Sequence, residues 1–148
     1  MCMPSYEYPR PGFSADTVAI AGSPDDRHVL LIRRGIEPFR GMWALPGGFV
    51  NEMEPVEAAG RRELAEEAGL SVPDSDYLMV GTFGEPGRDP RGWTVAAAFV
   101  VDVGLQLPLV KGGDDAAEAA WHALSNLPDL AFDHALIVQS ALERLESA

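Results

Sequence analysis

The sequence predicts an α/β or α+β domain, because short stretches typical of β-strands alternate with two stretches of helical periodicity. The strand-like stretches cover residues 17–21, 28–33, 43–50, 77–83, 94–103 and 119–124. The helical stretches run from about residue 55 to residue 68 and from residue 133 to residue 145. No internal repeat or linker interrupts this order, so we expect a single domain over residues 1–148.

The amino-terminal third has the pattern of an extended arm followed by a β-hairpin. Three prolines within the first dozen residues favour extended backbone, so we expect an arm over residues 1–13. Residues 17–21 and 28–33 are rich in apolar and β-branched side chains, and the stretch between them has the composition of a turn. Further on, Pro46-Gly47-Gly48 interrupts an extended stretch, and its glycines allow the backbone to approach a ligand closely.

The two predicted helices should lie against the sheet. The first begins at Pro55 and is stopped by Gly69, which gives about 13 to 15 residues. Gly60 in its interior costs up to about 1 kcal/mol relative to alanine, with no gain that the sequence reveals. Residues 94–103 are so continuously apolar that both faces of this strand should be covered. Residues 133–145 have apolar positions at helical spacing and should pack on the sheet.

The composition indicates a globular protein that does not bind nucleic acid. Apolar residues make up 47 % of the chain and charged residues 23 %, which is ordinary for a globular domain. The net charge of −12, with Lys111 as the only lysine, opposes binding to a nucleic-acid backbone. The same charge opposes an anionic substrate, so a pyrophosphate would need bridging cations and a local cluster of arginines.

Cysteine usage and hydropathy favour a cytoplasmic location. Cys2 is the only cysteine, so no intrachain disulfide can form. The first 13 residues lack the charged start and apolar stretch of a secretion signal, and no apolar run of about 18 residues occurs. We therefore expect a cytoplasmic protein that does not contact a membrane.

Three carboxylates, Glu63, Glu66 and Glu67, lie close together on the first predicted helix. Offsets of three and four residues place side chains on one helix face, with Cβ atoms about 5–6 Å apart. Like charges at that spacing repel each other unless a cation lies between them. Oxygen ligands without Cys or His favour Mg²⁺ or Mn²⁺. The alternative is a solvated acidic helix face, which is what most charge runs are.

The segment from Gly48 to Leu70 resembles the Nudix box, the signature of hydrolases that cleave nucleoside diphosphates linked to another moiety. The family pattern is Gly, five residues, Glu, seven residues, then Arg-Glu-apolar-any-Glu-Glu-any-Gly-apolar. Every specified position is met, by Gly48, Glu54, Arg62, Glu63, Leu64, Glu66, Glu67, Gly69 and Leu70. The resemblance implies an α/β/α sandwich with a mixed β-sheet, and a pyrophosphohydrolase that uses water as its nucleophile.

The resemblance also implies a set of metal ligands for Mg²⁺ or Mn²⁺. The counterparts of Glu66 and Glu67 are the usual ligands in the family, often together with that of Glu63. A backbone carbonyl of the glycine loop can join them, and we assign this position to Gly47.

Four positions of the box are expected to be structural. The family counterparts of Glu54 and Arg62 form an ion pair that holds the loop to the helix, and arginine suits such a bidentate contact. Gly48 and Gly69 are interpreted as a loop residue and a helix stop.

The attacking water needs a proton acceptor within hydrogen-bonding reach. The predicted catalytic carboxylates are Glu63, Glu66, Glu67 and, outside the box, Glu118. Asp114 and Asp115 are further candidates for the acceptor. Residues 113–118 are equally consistent with a solvated turn that contains good helix-capping residues.

Residues outside the box resemble the ADP-ribose pyrophosphatase subgroup of the family. Pro86, the RDPRG stretch at 88–92 and the LAFDH stretch at 130–134 all have counterparts there. Arg88 and Arg91 are predicted to contact the phosphates or the terminal ribose, although each arginine would also pair with Asp89 or Glu85 if it only shaped the loop.

Aromatic side chains are candidates for stacking on adenine. We single out Phe13 and Trp93 as substrate-binding candidates, with the alternative that they belong to the core. His134 is not a persuasive metal ligand, because no second His or Cys lies at ligand spacing.

The resemblance leaves two other functions open. One is the removal of oxidised nucleoside triphosphates, and the other is a sensor domain that binds ADP-ribose without cleaving it. A homodimer is also expected, because many ADP-ribose enzymes of the family dimerise and the proline-rich arm is suited to lie across a partner.

Overall fold

A seven-stranded mixed sheet forms the centre of the protein. The computed structural model describes residues 3–148, so the single cysteine, Cys2, lies outside the described residues. The strands are β1 (Gly12–Ser23), β2 (Asp26–Arg34), β3 (Trp43–Ala44), β4 (Gly47–Phe49), β5 (Leu78–Phe83), β6 (Thr94–Asp102) and β7 (Ala116–Ala123). The helices are α1 (Val56–Ala68) and α2 (His134–Glu146), with 3₁₀ turns at Asp74–Asp76 and Leu124–Asn126.

The pairing of β1 makes the sheet mixed. Strand β1 runs parallel to β6, with residues 12–20 opposite residues 94–102, and antiparallel to β2. Its first half also pairs with β4, which brings Asp16 opposite Gly47. The main path of the sheet is β3-β2-β1-β6-β5, while β7 pairs with β2. The sequence stretches predicted as strands therefore all lie in one sheet.

The two helices cover opposite faces of this sheet. Val18 and Ile20 of β1 pack with Ile137 of α2, whereas Ala19 packs with Leu64 of α1. Because neighbouring residues of a strand point to opposite faces, the helices must lie on different sides. The predicted α/β/α sandwich with a mixed sheet is confirmed.

Some predicted boundaries differ from the structure. Strand β1 was predicted over residues 17–21 but begins at Gly12, because its polar first half pairs with β6 and β4, and this long-range pairing leaves no local apolar pattern. The exposed amino-terminal segment therefore ends before Gly12, and Phe13 lies in the sheet. Helix α1 begins at Val56 rather than Pro55, and Gly69, with φ of 70°, ends it as predicted.

The glycine inside α1 has a packing role. A Cβ atom on Gly60 would lie 2.2 Å from the hydroxyl oxygen of Tyr77, so any side chain would clash. The Thr17 hydroxyl donates to the carbonyl of Gly60 at 3.4 Å and also shares a hydrogen bond with the Tyr77 hydroxyl. The ring of Tyr77 stacks on Phe99 at a centroid distance of 4.6 Å. The missing side chain thus permits close contact between α1 and the sheet.

No helix within residues 3–148 is long and apolar enough to cross a membrane.

Candidate active site

One cavity of about 280 Å³ brings the box, the RDPRG loop and the start of α2 together. The box contributes Glu63 and Glu67, and the glycine loop contributes Gly47 and Gly48. Leu45 and Phe49 flank that loop, and the other lining residues come from distant segments: Ser14, Asp16, Arg34, Ile36, Arg88, Asp89, Arg91, Asp114, Asp115, Phe132 and His134. Both acidic and basic side chains therefore face the same space.

The acidic part of the cavity centres on α1. One carboxylate oxygen from each of Glu63, Glu66 and Asp114 lies within 4.8 Å of the other two. Glu63 is buried and Glu66 is exposed. Burial raises the pKa of Glu63, while the adjacent Arg62 acts in the opposite direction.

Glu67 binds the glycine loop. The backbone N–H of Gly47 donates to Oε1 of Glu67 at 2.8 Å. Burial raises the pKa of Glu67 to about 8, and the charges of Glu63 and Asp16 act in the same direction. Helix α1 and the loop are therefore joined at the point where both border the cavity.

A backbone contact places Asp114 beside the glutamates. The N–H of Lys111 donates to the carbonyl of Ala68 at 3.1 Å, and that of Gly113 donates to the carbonyl of Glu67 at 3.2 Å. Both acceptors belong to the last turn of α1, whose carbonyls have no partner within the helix. The segment at 111–115 is thus docked on the helix end, and it delivers Asp114 to the acidic part of the cavity.

Arg62 connects the loop with the glutamates. Its Nε and Nη2 atoms donate to the two oxygens of Glu54 at 2.8 and 3.0 Å, and Nη2 also donates to the carbonyl of Phe49 at 3.2 Å. Its Nη1 atom donates to Glu63 at 2.8 Å and to Glu66 at 3.1 Å. The hydrogen bonds to Glu54 and Glu63 raise the pKa of Arg62, and the bond to Arg62 lowers the pKa of Glu54. The ion pair between loop and helix is present in the structure.

The two arginines of the RDPRG loop have different environments. Arg88 has a side chain only 5 % exposed, and it donates to both oxygens of Asp133 at 2.9 and 2.7 Å. Arg91 is 43 % exposed and pairs with the buried Asp89 at 2.8 Å. Its guanidinium lies 5.0 Å from the ring centroid of Phe49. Arg88 therefore holds the loop to α2, while Arg91 remains accessible from the cavity.

Arg34, at the end of β2, is a third arginine of the cavity. Its Nε atom donates to the carbonyl of Pro38 at 2.6 Å, and its guanidinium lies 5.1 Å from the ring centroid of Phe132. Burial lowers the pKa of Arg34, and the charge of Arg91 lowers it further. Two arginines thus repel each other beside one aromatic ring, an arrangement that an anion would stabilise.

Asp16 and His134 are both about 95 % buried at the cavity wall. The N–H of Leu45 donates to Nδ1 of His134 at 2.9 Å, so the proton of the neutral ring must be on Nε2. Burial lowers the pKa of His134 to about 3 and raises that of Asp16 to about 7. The histidine is therefore uncharged at neutral pH.

The model of the NUDIX domain family matches residues 14–141. The chain belongs to the Nudix family. It is 49 % identical over 115 residues to an ADP-ribose pyrophosphatase of Methanocaldococcus jannaschii, covering 77 % of this chain and 65 % of that protein. It is 32 % identical over 146 residues to the ADPR responsive transcriptional repressor NtrR of Acinetobacter baylyi, covering 95 % of this chain and 57 % of that protein. The chain thus spans about three fifths of the length of these relatives.

Solved Nudix structures share the fold. A MutT/nudix family protein from Enterococcus faecalis superimposes with a TM-score of 0.86 at 32 % identity, covering 98 % of this chain and 66 % of that one. The Nudix domain of Shewanella oneidensis NrtR, in a cocrystal structure with ADP ribose, gives a TM-score of 0.83 at 30 % identity, covering 93 % and 90 %.

The donor set of the Nudix box fits a hard divalent cation. The candidate ligands are carboxylate oxygens, and the structure adds Asp114 from outside the box to Glu63 and Glu66. Glu67 lines the same cavity, next to Gly47. Oxygen donors of this kind are those that magnesium and manganese prefer.

Four predicted catalytic or ligand-binding residues are outside the cavity lining. Glu66 is one of them, although a carboxylate oxygen of Glu66 lies within 4.8 Å of Glu63 and Asp114, which do border the cavity. The other three lie farther away. Glu118 pairs with Arg33 at 2.9 Å on the surface of β2 and β7. Phe13 and Trp93 are 38 % and 53 % exposed, and neither borders the cavity.

Sequence reasoning missed the aromatic rings that do line the cavity, Phe49 and Phe132, as well as Arg34 and Asp16. The one available signal was Asp16 itself, an acidic residue inside an apolar strand, since buried charges need a compensating partner or a function.

Proposed function

We propose that this chain hydrolyses the pyrophosphate bond of ADP-ribose, or of a closely related nucleoside diphosphate derivative, with Mg²⁺ or Mn²⁺ as cofactor. The products would be AMP and ribose 5-phosphate. The observation that carries the proposal is the placement of Glu63 and Asp114 in one cavity with Arg34 and Arg91, with a carboxylate oxygen of Glu66 within 4.8 Å of both acids. The similarity to an ADP-ribose pyrophosphatase supports the choice of substrate.

The carboxylates of α1 and the 111–115 segment would hold the cofactor. Glu66 and Glu67 are the ligands that the family resemblance implies, together with Glu63 and the carbonyl of Gly47, and the geometry favours Asp114 as a further one. A divalent cation bound there would neutralise the diphosphate, polarise its phosphorus and lower the pKa of a bound water.

The arginines would bind and orient the diphosphate. Arg91 is accessible, and Arg34 is bonded to a carbonyl rather than to a carboxylate, so both guanidinium groups can donate to phosphate oxygens. Phe49 and Phe132 flank Arg91, with centroids 5.0 and 5.7 Å from its guanidinium carbon, and offer apolar surface for a base or a sugar.

The reaction needs one proton acceptor. The oxygen of a water forms a bond to one phosphorus while the bond from that phosphorus to the bridging oxygen breaks, and two phosphomonoesters result. The water proton would pass to a carboxylate that borders the cavity. Of the predicted acceptors, this condition is met by Glu63, Glu67, Asp114 and Asp115. Glu118 lies outside the cavity lining, so we leave it out of the proposed mechanism.

The direct test is hydrolysis of ADP-ribose with and without Mg²⁺ or Mn²⁺, run beside Glu66→Gln and Glu67→Gln. We expect each variant to lose about 3–5 kcal/mol of transition-state stabilisation, because the charge balance around the phosphates depends on these ligands. Glu57→Gln, on an exposed position of the same helix, is the matched control. Near-normal rates in both glutamate variants would refute the proposed mechanism.

A second candidate is a domain that binds ADP-ribose without cleaving it. The similarity to an ADPR responsive repressor over 95 % of this chain favours it. Calorimetric binding of ADP-ribose without product formation in the presence of metal would support this function over hydrolysis. Removal of oxidised nucleotides is a further alternative, and a panel of nucleoside triphosphates run in the same assay tests it.

The homodimer stays a prediction. The amino-terminal segment exposes Tyr6 and Tyr8, and sedimentation velocity on a variant that lacks residues 1–11 would show whether this segment joins two copies.

A further inference from the structure

Two polar groups of the cavity face each other without forming a direct hydrogen bond. Nε2 of His134 and Oδ2 of Asp16 are 3.7 Å apart, and both side chains are less than a tenth exposed. A direct N–H···O bond requires a shorter distance, about 2.7–3.2 Å. Both residues border the cavity, so a ligand atom can reach them.

The chemistry of the pair is fixed by its neighbours. Because His134 accepts a hydrogen bond from Leu45 at Nδ1, its Nε2 atom is a donor. The carboxylate of Asp16 is an acceptor. An oxygen placed about 2.8 Å from both atoms would accept from the histidine and donate to the aspartate. A hydroxyl group is both donor and acceptor, so it satisfies the pair with one atom.

Phosphate oxygens fit this position poorly. They carry negative charge and no proton, so they cannot donate to the ionised carboxylate of Asp16. The charges of Asp133 and Glu63 disfavour a further negative group at Asp16, whereas those of Arg88 and Arg34 act in the opposite direction. The phosphates should therefore lie toward Arg34 and Arg91, and the pair should take an uncharged part of the same ligand.

The position of Asp16 favours a sugar over a base. Asp16 lies opposite Gly47 in the β1–β4 pairing, and a Cβ atom on Gly47 would be only 2.0 Å from its Oδ1 atom. Gly47 also binds Glu67, so the pair is next to the proposed reaction centre. In a nucleoside diphosphate sugar, the hydroxyls of both sugars are only a few bonds from a phosphate, whereas the base is farther away.

We propose that Asp16 and His134 form a subsite for one hydroxyl group of the terminal sugar of the substrate, and that they select sugar-linked diphosphates. The proposal rests on the proposed function, because its ligand is the nucleoside diphosphate sugar of that reaction. Asp16 and His134 would act in binding and leave the proton transfer to other carboxylates.

The test compares substrates and variants in one set of measurements. ADP-ribose and analogues that each lack one hydroxyl of the terminal ribose are assayed with wild type, Asp16→Ala and His134→Asn. The asparagine retains an acceptor for the Leu45 N–H and removes the Nε2 donor. Thr17→Val is the matched control, because Thr17 is a buried neighbour on the same strand whose hydroxyl bonds to Gly60 and Tyr77 instead.

For wild type, we expect the KM for one of the analogues to be about ten- to hundredfold higher than the KM for ADP-ribose, because the analogue loses hydrogen bonds to a charged group. The Asp16→Ala and His134→Asn variants should raise KM for ADP-ribose by a similar factor, with kcat changed little. They should add nothing to the KM of that analogue, since the interaction is already absent. Thr17→Val should leave the ratio of the KM for that analogue to the KM for ADP-ribose unchanged.

Three results would overturn the subsite. Equal losses on ADP-ribose and on every analogue would show a structural role only. If the Asp16 and His134 variants are less stable than wild type but keep its KM ratio between analogue and ADP-ribose, the pair holds a buried water. A changed KM ratio for substrates altered in the adenosine part, either hypoxanthine for adenine or a deoxyribose for the adenosine ribose, would assign the pair to that part of the ligand.

A separate arm distinguishes this proposal from the proposed function. If wild type binds ADP-ribose without hydrolysing it, hydrolysis is refuted, and calorimetric Kd ratios for the same compounds decide the subsite. If wild type neither binds nor hydrolyses ADP-ribose, both proposals fail.

Discussion

Replacing Arg88 should destabilise the protein, whereas replacing Arg91 should weaken substrate binding. Arg88 is 5 % exposed and makes two hydrogen bonds to Asp133, which is itself 19 % exposed. Its Nη1 atom also donates to the hydroxyl of Thr94 at 3.1 Å. Arg91 is 43 % exposed, so its pair with Asp89 is partly solvated.

The expected magnitudes follow from burial. Removing one partner of a buried pair costs about 3–5 kcal/mol, because the other charge remains buried without compensation. Asp133 keeps some contact with solvent, so we expect about 2–4 kcal/mol for Arg88→Met. For a domain of this size, that corresponds to a fall in Tm on the order of 10 °C. Removing the Arg91 side chain leaves the carboxylate of Asp89 buried, but the backbone N–H of residue 91 still donates to it at 2.9 Å. We therefore expect a smaller loss, about 1–2 kcal/mol.

Thermal unfolding and steady-state kinetics together test this difference. Arg91→Ala should lower Tm less than Arg88→Met does, and it should raise KM for ADP-ribose about ten- to hundredfold, as expected for a lost charge-assisted hydrogen bond. The double variant Arg88→Met with Asp133→Leu should regain most of the lost stability, since apolar replacement of a whole buried pair is often neutral. The reasoning is refuted if Arg88→Met keeps the wild-type Tm while its KM rises as in Arg91→Ala.

Three further predictions concern close contacts and buried charge. Gly113→Ala would place a Cβ atom 2.6 Å from the carbonyl oxygen of Glu66, so it should shift the loop that carries Asp114 and lower kcat at least tenfold while circular dichroism shows an intact fold. Gly60→Ala should destabilise by about 1–3 kcal/mol despite its better helix propensity, because it clashes with Tyr77, and denaturant titration should show partial recovery when Tyr77→Phe is added. Burial raises the pKa of Asp16 from 3.8 to about 7, so its contribution to stability is present below pH 4 and is lost as the pH rises to about 7. In urea titrations in metal-free buffer at pH 8, the free energy of unfolding of Asp16→Asn should therefore exceed that of wild type by up to about 4 kcal/mol. This difference should disappear at pH 4.

Local signals explain what the sequence could predict. The box helix has a stop at Gly69 and a dense set of specified positions, and β6 has a continuous apolar run; both occur in the structure within one or two residues. Strand β1 was predicted too short, because its first half is held by pairing with β4 and β6 rather than by its own apolar pattern. Pairing between segments 80 residues apart in the chain is not visible in local periodicity.

In the candidate site, too, residues close in sequence could be predicted and residues brought together by tertiary contacts could not. The acids on α1 are close in sequence, so their grouping follows from helix geometry. Asp16, Arg34 and Phe132 come from three distant segments and meet only through the sheet register and the start of α2. The distinction between Arg88 and Arg91 is also set by tertiary contacts, since the partner of Arg88 is 45 residues away. Sequence spacing cannot reveal which arginine is buried.

The glycines of the site are required by carboxylates of the same chain. The sequence suggested that Gly47 and Gly48 allow the backbone to approach a ligand. A Cβ atom would lie 2.0 Å from Asp16 at Gly47 and 2.5 Å from Glu63 at Gly48. Arg62 holds Glu63 in that position, so the carboxylate cannot easily turn away. At Gly47 a Cβ atom would also lie 2.6 Å from the carbonyl oxygen of Ala15. The loop is therefore glycine-rich because it passes directly over the backbone of β1 and over two acids that border the cavity. This close passage also brings the Gly47 N–H to its acceptor on α1.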